Sequence, residues 1–269
     1  MPEGHTLYRV AREQSELFAG RPVHVTSPQG RFEAGAALLD GRTLVRAFSY
    51  GKHLFADFGG DLLHVHLGLY GSFTGGTGVP PPAKGALRMR WEADGPAGTG
   101  VWTDLRGPTA CEVLASPEVD AILARLGPDP LRPRTDGAVA HRRIARSRTA
   151  VGALLMDQSV LAGVGNVYRA ELLFRHGVSP FRPGRAVDDA LWSRMWTDLV
   201  ALMRSGVRMG RIVTTRPEDR SRRRGAVQRD DAHYVYRRTG LPCRRCGTEV
   251  RTEAMVGRNL YWCPVCQAV

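Results

Sequence analysis

Four cysteines near the C-terminus constrain this chain more than any other feature. Cys243-Arg-Arg-Cys246 is followed, after sixteen residues, by Cys263-Pro-Val-Cys266, all within the last 27 residues. So short a segment cannot bury a hydrophobic core of its own. Two Cys-x-x-Cys knuckles instead let four thiolates converge tetrahedrally on one Zn2+ at about 2.3 Å each, and the spacer has the length of a β-hairpin. A redox pair would need only one knuckle. Zinc closed in by Cys243, Cys246, Cys263 and Cys266 is structural, because it replaces a core and leaves no ligand position open. One structural Zn2+ per chain is therefore expected. The fifth cysteine, Cys111, stands alone in an apolar stretch and reads as a buried core thiol. Five cysteines in 269 residues are too few for a disulfide scaffold, which fits a reducing compartment.

Around the knuckles lie Arg244, Arg245, Arg251 and Arg258, which place charge where phosphate could sit or simply form a solvated basic face. The whole chain carries 38 Lys+Arg against 26 Asp+Glu, a formal net charge of +12, which favours a polyanionic partner, nucleic acid first and anionic membrane second. The excess is one-sided. Residues 1–120 hold 11 basic and 13 acidic side chains, so residues 121–269 hold the other 27 and 13, a net of +14. The longest apolar stretch, Val151 to Val164, is broken by Asp157 and Gln158 and falls short of the ~18 residues of a membrane span. No basic flank with an apolar run opens the chain, so a soluble, intracellular protein is expected.

Hydrophobic periodicity divides the chain. Leu7, Val10, Ala11, Leu17 and Phe18 recur at helical spacing, predicting an amphipathic helix over 4–18. Short β-rich runs follow at Pro22–Thr26, Thr43–Tyr50, His53–Phe58, Leu62–Leu67, Leu87–Trp91 and Val101–Thr103, with Gly59-Gly60 as a hairpin turn. This half reads as a β-sandwich or barrel behind one helix, with surface loops at Gly75–Gly85 and Glu92–Gly100. The Pro-rich stretch Leu126–Gly137 lies where the charge changes sign and marks a domain boundary. Beyond it, Val139–Ser147, Ala150–Gln158, Val167–His176 and Asp188–Ser205 read as helices. Arg208–Arg238 holds ten arginines and few apolar side chains, which predicts a mobile basic segment. The expected class is α+β: an N-terminal β-sandwich domain over 1–126, a helical domain over 127–238 and a zinc hairpin over 239–269.

The first residues also carry chemistry. Removal of Met1 would expose Pro2 as a secondary amine at the N-terminus. Such an amine can attack an aldehyde-like carbon and form an iminium, an electron sink that acidifies the neighbouring C–H and permits elimination. Glu3 beside it could protonate a leaving or ring oxygen. Pro2 and Glu3 are also ordinary helix-start residues.

A resemblance now separates these alternatives. Met1-Pro-Glu-Gly4, Gly51-Lys52-His53-Leu54, Leu161-Ala-Gly-Val-Gly-Asn166-Val-Tyr168-Arg-Ala-Glu171 and Gly257-Arg258-Asn-Leu-Tyr-Trp-Cys263-Pro-Val-Cys266 occur in that order over almost the whole chain. Together they resemble the formamidopyrimidine-DNA glycosylase and endonuclease VIII family of bifunctional DNA repair glycosylases. The resemblance implies an N-terminal helix plus β-sandwich, a helix-two-turns-helix domain and a terminal zinc hairpin, with damaged DNA as partner. It implies Pro2 as the nucleophile that attacks the sugar C1′, Glu3 as general acid and Lys52 as a basic residue near the lesion phosphates. Asn166 and Arg258 match the phosphate-gripping pair, and Glu171 a glutamate supporting the site. It further implies a monomer in the cytoplasm, at the bacterial nucleoid, acting in base excision repair without a membrane or redox cofactor. Only two lysines, Lys52 and Lys84, stand against 36 arginines; Lys52 survives inside the motif, where a compact ammonium differs from a guanidinium, but two lysines must fall somewhere and Lys84 sits in a plain loop.

A glycosylase must take its base out of the stack and fill the hole. Leu69-Tyr70 match the family's void-filling positions and look like the endonuclease VIII branch, although both could equally belong to the sandwich core. His66 would contact a phosphate or pack in its strand. The guanine-lesion branch pairs an Arg with a Phe to read the opposite cytosine. Here the comparable stretch is Asp104-Leu-Arg106-Gly-Pro108, without the Phe, which favours oxidised pyrimidines over 8-oxoguanine. His5 stands where many members have Pro and is expected to face the cleft mouth or solvent, with no role assigned. The run Arg220-Ser-Arg-Arg-Arg224 falls where the guanine-lesion branch has its base-capping loop, and would add electrostatic grip. The alternatives are a guanine-lesion glycosylase and a non-enzymatic zinc-ribbon binder of nucleic acid.

Overall fold

A computed structural model of the chain describes residues 2–95, 98–222 and 224–268. Met1, whose removal the chemistry above requires, and Arg223 of the basic run lie outside the described residues. The chain forms two compact units, Met1–Arg125 and Leu126–Val269.

In the first unit, α1 (Gly4–Phe18) buries Leu7, Val10, Ala11 and Phe18 on one stripe, as its 3.6-residue period requires. β1 (His24–Thr26) and α2 (Glu33–Leu39) follow. Next come β2 (Arg46–Tyr50), β3 (His53–Asp57), β4 (Leu62–His66), β5 (Ser72–Thr77), β6 (Leu87–Asp94), β7 (Gly100–Arg106) and β8 (Ala110–Leu114). The strands make two four-stranded antiparallel sheets, ordered β1-β6-β7-β5 and β2-β3-β4-β8. One core joins them: Leu54, Leu63 and Val65 of one sheet, Met89, Trp91 and Leu105 of the other, and the apolar stripe of α1. Gly59 and Gly60 turn β3 into β4 at φ +82° and +111°, their N–H groups donating to Asp57 Oδ1.

Periodicity missed several elements. β5 contains Gly75-Gly76, read above as loop, and is a strand because β7 pairs with all of it, from Ser72↔Arg106 to Thr77↔Val101. β6 runs on to Asp94 for the same reason. β4 is buried on both faces, since α3 (Ser116–Ala124) covers its outer side with Val119, Ile122 and Leu123 against Phe48, Phe55 and Leu62. That double burial hides the alternation expected of a surface strand. Cys111 is half-buried on β8, packed against the core, and burial pushes its thiol up to about 12.

In the second unit, α4 (Ala138–Ala145), α6 (Asn166–Arg175) and α7 (Asp189–Met209) lie where the periodicity puts them, with α7 one turn longer at its C-terminus. Asp188 caps α7 by accepting from Leu191 N–H, and Gly210 ends it at φ +66°. The helix expected over 150–158 shrinks to α5 (Val151–Leu154). Its polar residues compete for backbone: Asp157 accepts from Ser159, and Gln158 bonds Met156, Gly163 and Val164. β9 (Arg251–Met255) and β10 (Arg258–Trp262) form the terminal antiparallel hairpin. It shares a core with α6, through Ala170, Phe174, Tyr234, Val235, Cys243, Val250 and Cys263.

The segment 208–238 is not the uniformly mobile stretch that its composition predicts. Val213, Thr214 and Thr215 pack against Asp231, Ala232, Tyr234 and Val235, all buried, and Tyr234 stacks on Phe174 at 4.8 Å. Buried carboxylates make this order feasible in so polar a sequence. Asp231 binds Ser221 and Arg244, and Glu171 binds the backbone of 234–236. Among the described residues no helix is long and apolar enough to cross a membrane.

Candidate active site and nucleic-acid interface

The first unit gathers one group of sequence-predicted residues by simple geometry. Ser15 of α1 is locked to Ala47 of β2 through two hydrogen bonds of 2.9 and 2.8 Å, and Ala19 bridges Leu44, so helix and strand run in opposite directions. From Ser15 back to Glu3 the helix covers about 18 Å at 1.5 Å per residue. From Ala47 forward to Lys52 the strand covers about 17 Å at 3.3 Å per residue. Both therefore reach the same end of the sandwich. Glu3 is completely buried, in extended conformation as N-cap of α1, and its carbonyl accepts from Thr6 N–H at 2.8 Å; Pro2, just before it, is half-exposed. Pro2 as a residue is thus partly open to water, while Glu3 is not. His5 departs from expectation, being buried at 3% exposure, and burial together with Arg9 lowers its pKa to about 4.

Lys52 occupies the turn between β2 and β3, half-exposed, beside Gly51 at φ +58°. His53 pairs with His66 across β3 and β4, so the Lys52 turn and the exit of β4 share an end. His66 is half-buried there, bound through Nδ1 to Thr109 Oγ1 at 2.9 Å and to Gly68 N–H at 3.2 Å. Leu69 and Tyr70 follow at once. Tyr70 is 89% exposed and Leu69 37%, so neither belongs to the core. Two large side chains are thus exposed to water at the exit of β4.

Arg106 is spoken for. It donates to Asp104 Oδ2 at 2.9 Å and to the Lys84 carbonyl, while buried Asp104 also holds Arg90 through bonds of 2.7 and 3.0 Å. Sequence reading missed this Arg-Asp-Arg hub, centred on buried Asp104, although Arg90 and Asp104 are cross-strand partners.

The second unit holds the other group. Asn166 is the first residue of α6 and is buried, its amide donating to the Asn259 carbonyl at 2.9 Å and accepting from Arg169. That bond fastens the helix start to the strand carrying exposed Arg258, so the predicted pair is brought together. The inward turn of the Asn166 side chain is a departure from a residue that offers its amide to solvent. Arg169, fully buried, completes the link by donating to Met255 and Gly152 carbonyls at 3.4 Å each; a buried arginine in an apolar helix was its only sequence signal. The hairpin tip turns through Val256 and Gly257 at φ +52° and +67°, the left-handed pair that a two-residue turn demands.

Glu171, which the resemblance implies as a glutamate supporting the site, holds backbone. It is fully buried, and its two oxygens accept from the backbone N–H groups of Tyr234, Val235 and Tyr236 at 2.7–2.8 Å and from the Thr214 hydroxyl. With three N–H groups to orphan at about 1–3 kcal/mol each, Glu171→Ala is expected to cost at least about 3 kcal/mol in denaturant unfolding. A loss below 1 kcal/mol would contradict this role.

The four cysteine sulfurs lie within 4.8 Å of one another, with Cys246 to Cys263 at 3.4 Å and Cys243 to Cys266 at 3.9 Å. A tetrahedron with 2.3 Å metal–sulfur bonds has edges of about 3.8 Å, so the set fits Zn2+. Backbone N–H groups of Arg245 and Cys266 point at the sulfurs of Cys243 and Cys263, as knuckles require to support thiolate charge. Arg245 lies over both Phe174 and Tyr234, fixing the first knuckle to α6.

Comparison with known proteins agrees with this arrangement. Residues 1–111 match the formamidopyrimidine-DNA glycosylase N-terminal domain, 126–218 its H2TH domain, and 240–269 the zinc finger found in FPG and IleRS. The chain is 52% identical over 272 residues to Endonuclease 8 1 of Mycobacterium tuberculosis, covering 99% of this chain and 100% of that one. It is 33% identical to the formamidopyrimidine-DNA glycosylase of Methylococcus capsulatus, covering 85% and 83%. Among solved structures, Lactococcus lactis formamidopyrimidine DNA glycosylase with DNA containing an AP site superposes with a TM-score of 0.81 at 20% identity, covering 99% and 100%. With three matched domains in order and a relative alike from end to end, the chain belongs to the formamidopyrimidine-DNA glycosylase and endonuclease VIII family.

Proposed function

We propose that this chain is a bifunctional DNA glycosylase and AP lyase that excises oxidised pyrimidines through a Schiff base on Pro2. The observation that carries the reading is the contrast at the N-terminus: a half-exposed proline beside a fully buried glutamate, at the sandwich end that also carries Lys52. The Pro2 nitrogen attacks C1′ of the damaged nucleotide. The bond to the base breaks, and Glu3 supplies the proton that the departing sugar or base oxygen needs. The resulting iminium acidifies the adjacent C2′–H, so β-elimination expels the 3′ phosphate and δ-elimination the 5′ phosphate. Lys52, a compact ammonium, would neutralise phosphate charge beside the lesion. Leu69 and Tyr70 would fill the space left by the extruded base, and Asn166 and Arg258 would hold the backbone.

Two observations favour pyrimidines. Arg106 is tied to Asp104 and Lys84, which leaves it poorly placed to read an opposite cytosine, and the named relative of 52% identity is an endonuclease 8. Competition between thymine-glycol and 8-oxoguanine duplexes tests the preference. Faster release of thymine glycol, with phosphate on both ends of the gap, is the expected result; preferential 8-oxoguanine release would move the chain to the guanine-lesion reading. Binding without any scission of abasic DNA would reduce it to a nucleic-acid binder. The zinc hairpin is read as a third segment of function, over 239–269, even though it shares a core with α6. A cytoplasmic monomer is the proposed working form.

A further inference from the structure

Three histidines and a glutamate line the outer face of the β2-β3-β4-β8 sheet at its Lys52 end. His53 pairs with His66, and His64 with Glu112, across adjacent strands, so all four side chains share one face. Nδ1 of His53 lies 2.9 Å from Nε2 of His64, and Nδ1 of His64 lies 2.8 Å from Glu112 Oε1. The two rings stack at 5.1 Å, and His66 sits at the same distance from His53. Nothing in the glycosylase reading uses His53, His64 or Glu112.

Hydrogen-bond chemistry gives this chain a direction. A carboxylate only accepts, so Nδ1 of His64 carries a proton. In neutral His64 the Nε2 then accepts, which makes Nδ1 of His53 the donor and leaves Nε2 of His53 with a lone pair. His66 stands apart from this chain, its Nδ1 meeting Thr109 Oγ1 at 2.9 Å and Gly68 N–H at 3.2 Å. The corner thus offers the Lys52 ammonium and one ring, His53, whose lone pair would repel an anion. Burial, followed by the charges of His64, His66, Arg125 and Lys52, holds the His53 pKa at about 3, so His53 does not itself carry charge at neutral pH.

We propose that Glu112, His64 and His53 form a proton relay through which the Lys52 corner binds a phosphodiester anion with uptake of one proton. The inference rests on the reading that the chain binds DNA. A solvent proton bonds to Nε2 of His53, and the Nδ1 proton of His53 passes to Nε2 of His64. His64 becomes an imidazolium held against the Glu112 carboxylate, while His53 is neutral again and now donates from Nε2. One proton and one positive charge are gained, and no other bond changes. The charge comes to rest on His64, beside its carboxylate, rather than on His53. The groups facing the relay are Lys52 from the turn, Tyr50 from β2, His66 from β4, Glu112 from β8 and Arg125 at the end of α3. Lys52 and Arg125 oppose the extra charge and Glu112 favours it, so an arriving phosphate tips the balance.

Calorimetric titration of the zinc-loaded full-length protein with a duplex bearing an uncleavable tetrahydrofuran site, in buffers of different ionisation enthalpy at constant salt, counts the protons. The expected result is net uptake at neutral pH and about tenfold tighter binding at pH 6 than at pH 8. Glu112→Gln keeps an acceptor for His64 but removes its charge, and half-exposed Glu112 makes the change tolerable to the fold. It should cut that ratio to about twofold while leaving affinity at pH 8 within about twofold of the parent. His64→Phe, which keeps the ring stack, should do the same. Equal proton uptake in the parent and both variants, or none in the parent, overturns the relay. Failure to bind the duplex at any pH overturns the DNA reading with it, whereas binding with unchanged pH dependence overturns the relay alone.

Discussion

Replacing Cys263 with serine should strip the protein of zinc and lower its affinity for lesion duplex by at least about 100-fold at fixed salt. Cys263 is fully buried, 3.4 Å from Cys246, and sits in the core that joins the hairpin to Phe174 and Tyr234 of the helical body. A serine hydroxyl cannot replace the thiolate, and a closed zinc site contributes on the order of 10 kcal/mol of folding free energy to a segment with little core of its own. The consequence spreads from the metal to the proposed phosphate grip. Asn259, whose carbonyl receives the Asn166 amide, and Arg258 are on the hairpin, so its collapse releases both. Metal analysis and salt-titrated binding report the two effects. Retained zinc with retained affinity would show that three cysteines suffice and that the hairpin is not the organising element.

Glu3→Gln should slow base release by about 10²- to 10⁴-fold, the usual contribution of a positioned acid. The same variant should still cleave a preformed abasic site, because an aldehyde carbon has no base to expel and the Pro2 amine is untouched. The split between the two substrates is the informative readout. Glu3 is fully buried at the helix start, so Gln, of nearly equal shape, preserves the packing while removing the transferable proton. If both activities fall together and the melting temperature drops, Glu3 serves the fold and another group is the acid.

How much of this could be read from the residues differs by element. The zinc hairpin was legible because four thiols at fixed spacing leave little else for so short a segment to do. α1, α6 and α7 were legible from one-sided apolar periodicity. β5 was not, since its glycines gain order from pairing with β7, a strand that lies beyond the whole of β6 in the sequence. The packed neck of the 208–238 segment was hidden for a related reason. Its stability comes from Glu171 and Asp231, carboxylates whose burial no local composition reveals. At the site, Lys52, Leu69 and Tyr70 were nameable from the motifs, while exposure was needed to remove the last two from the core. The His53, His64 and Glu112 chain became visible only through strand register, which turns three scattered polar residues into neighbours. Arg106 shows the reverse case, a residue noticed in sequence whose commitment to Asp104 only geometry supplies.

The central claim is that the N-terminal proline amine does the chemistry. Protein shown by intact mass to lack Met1 should, with borohydride and a thymine-glycol duplex, yield a covalent adduct that peptide mapping places on Pro2. Protein that retains Met1 should yield none. Absence of an adduct from the processed protein, or an adduct mapped to Lys52 or any other residue, would contradict the account.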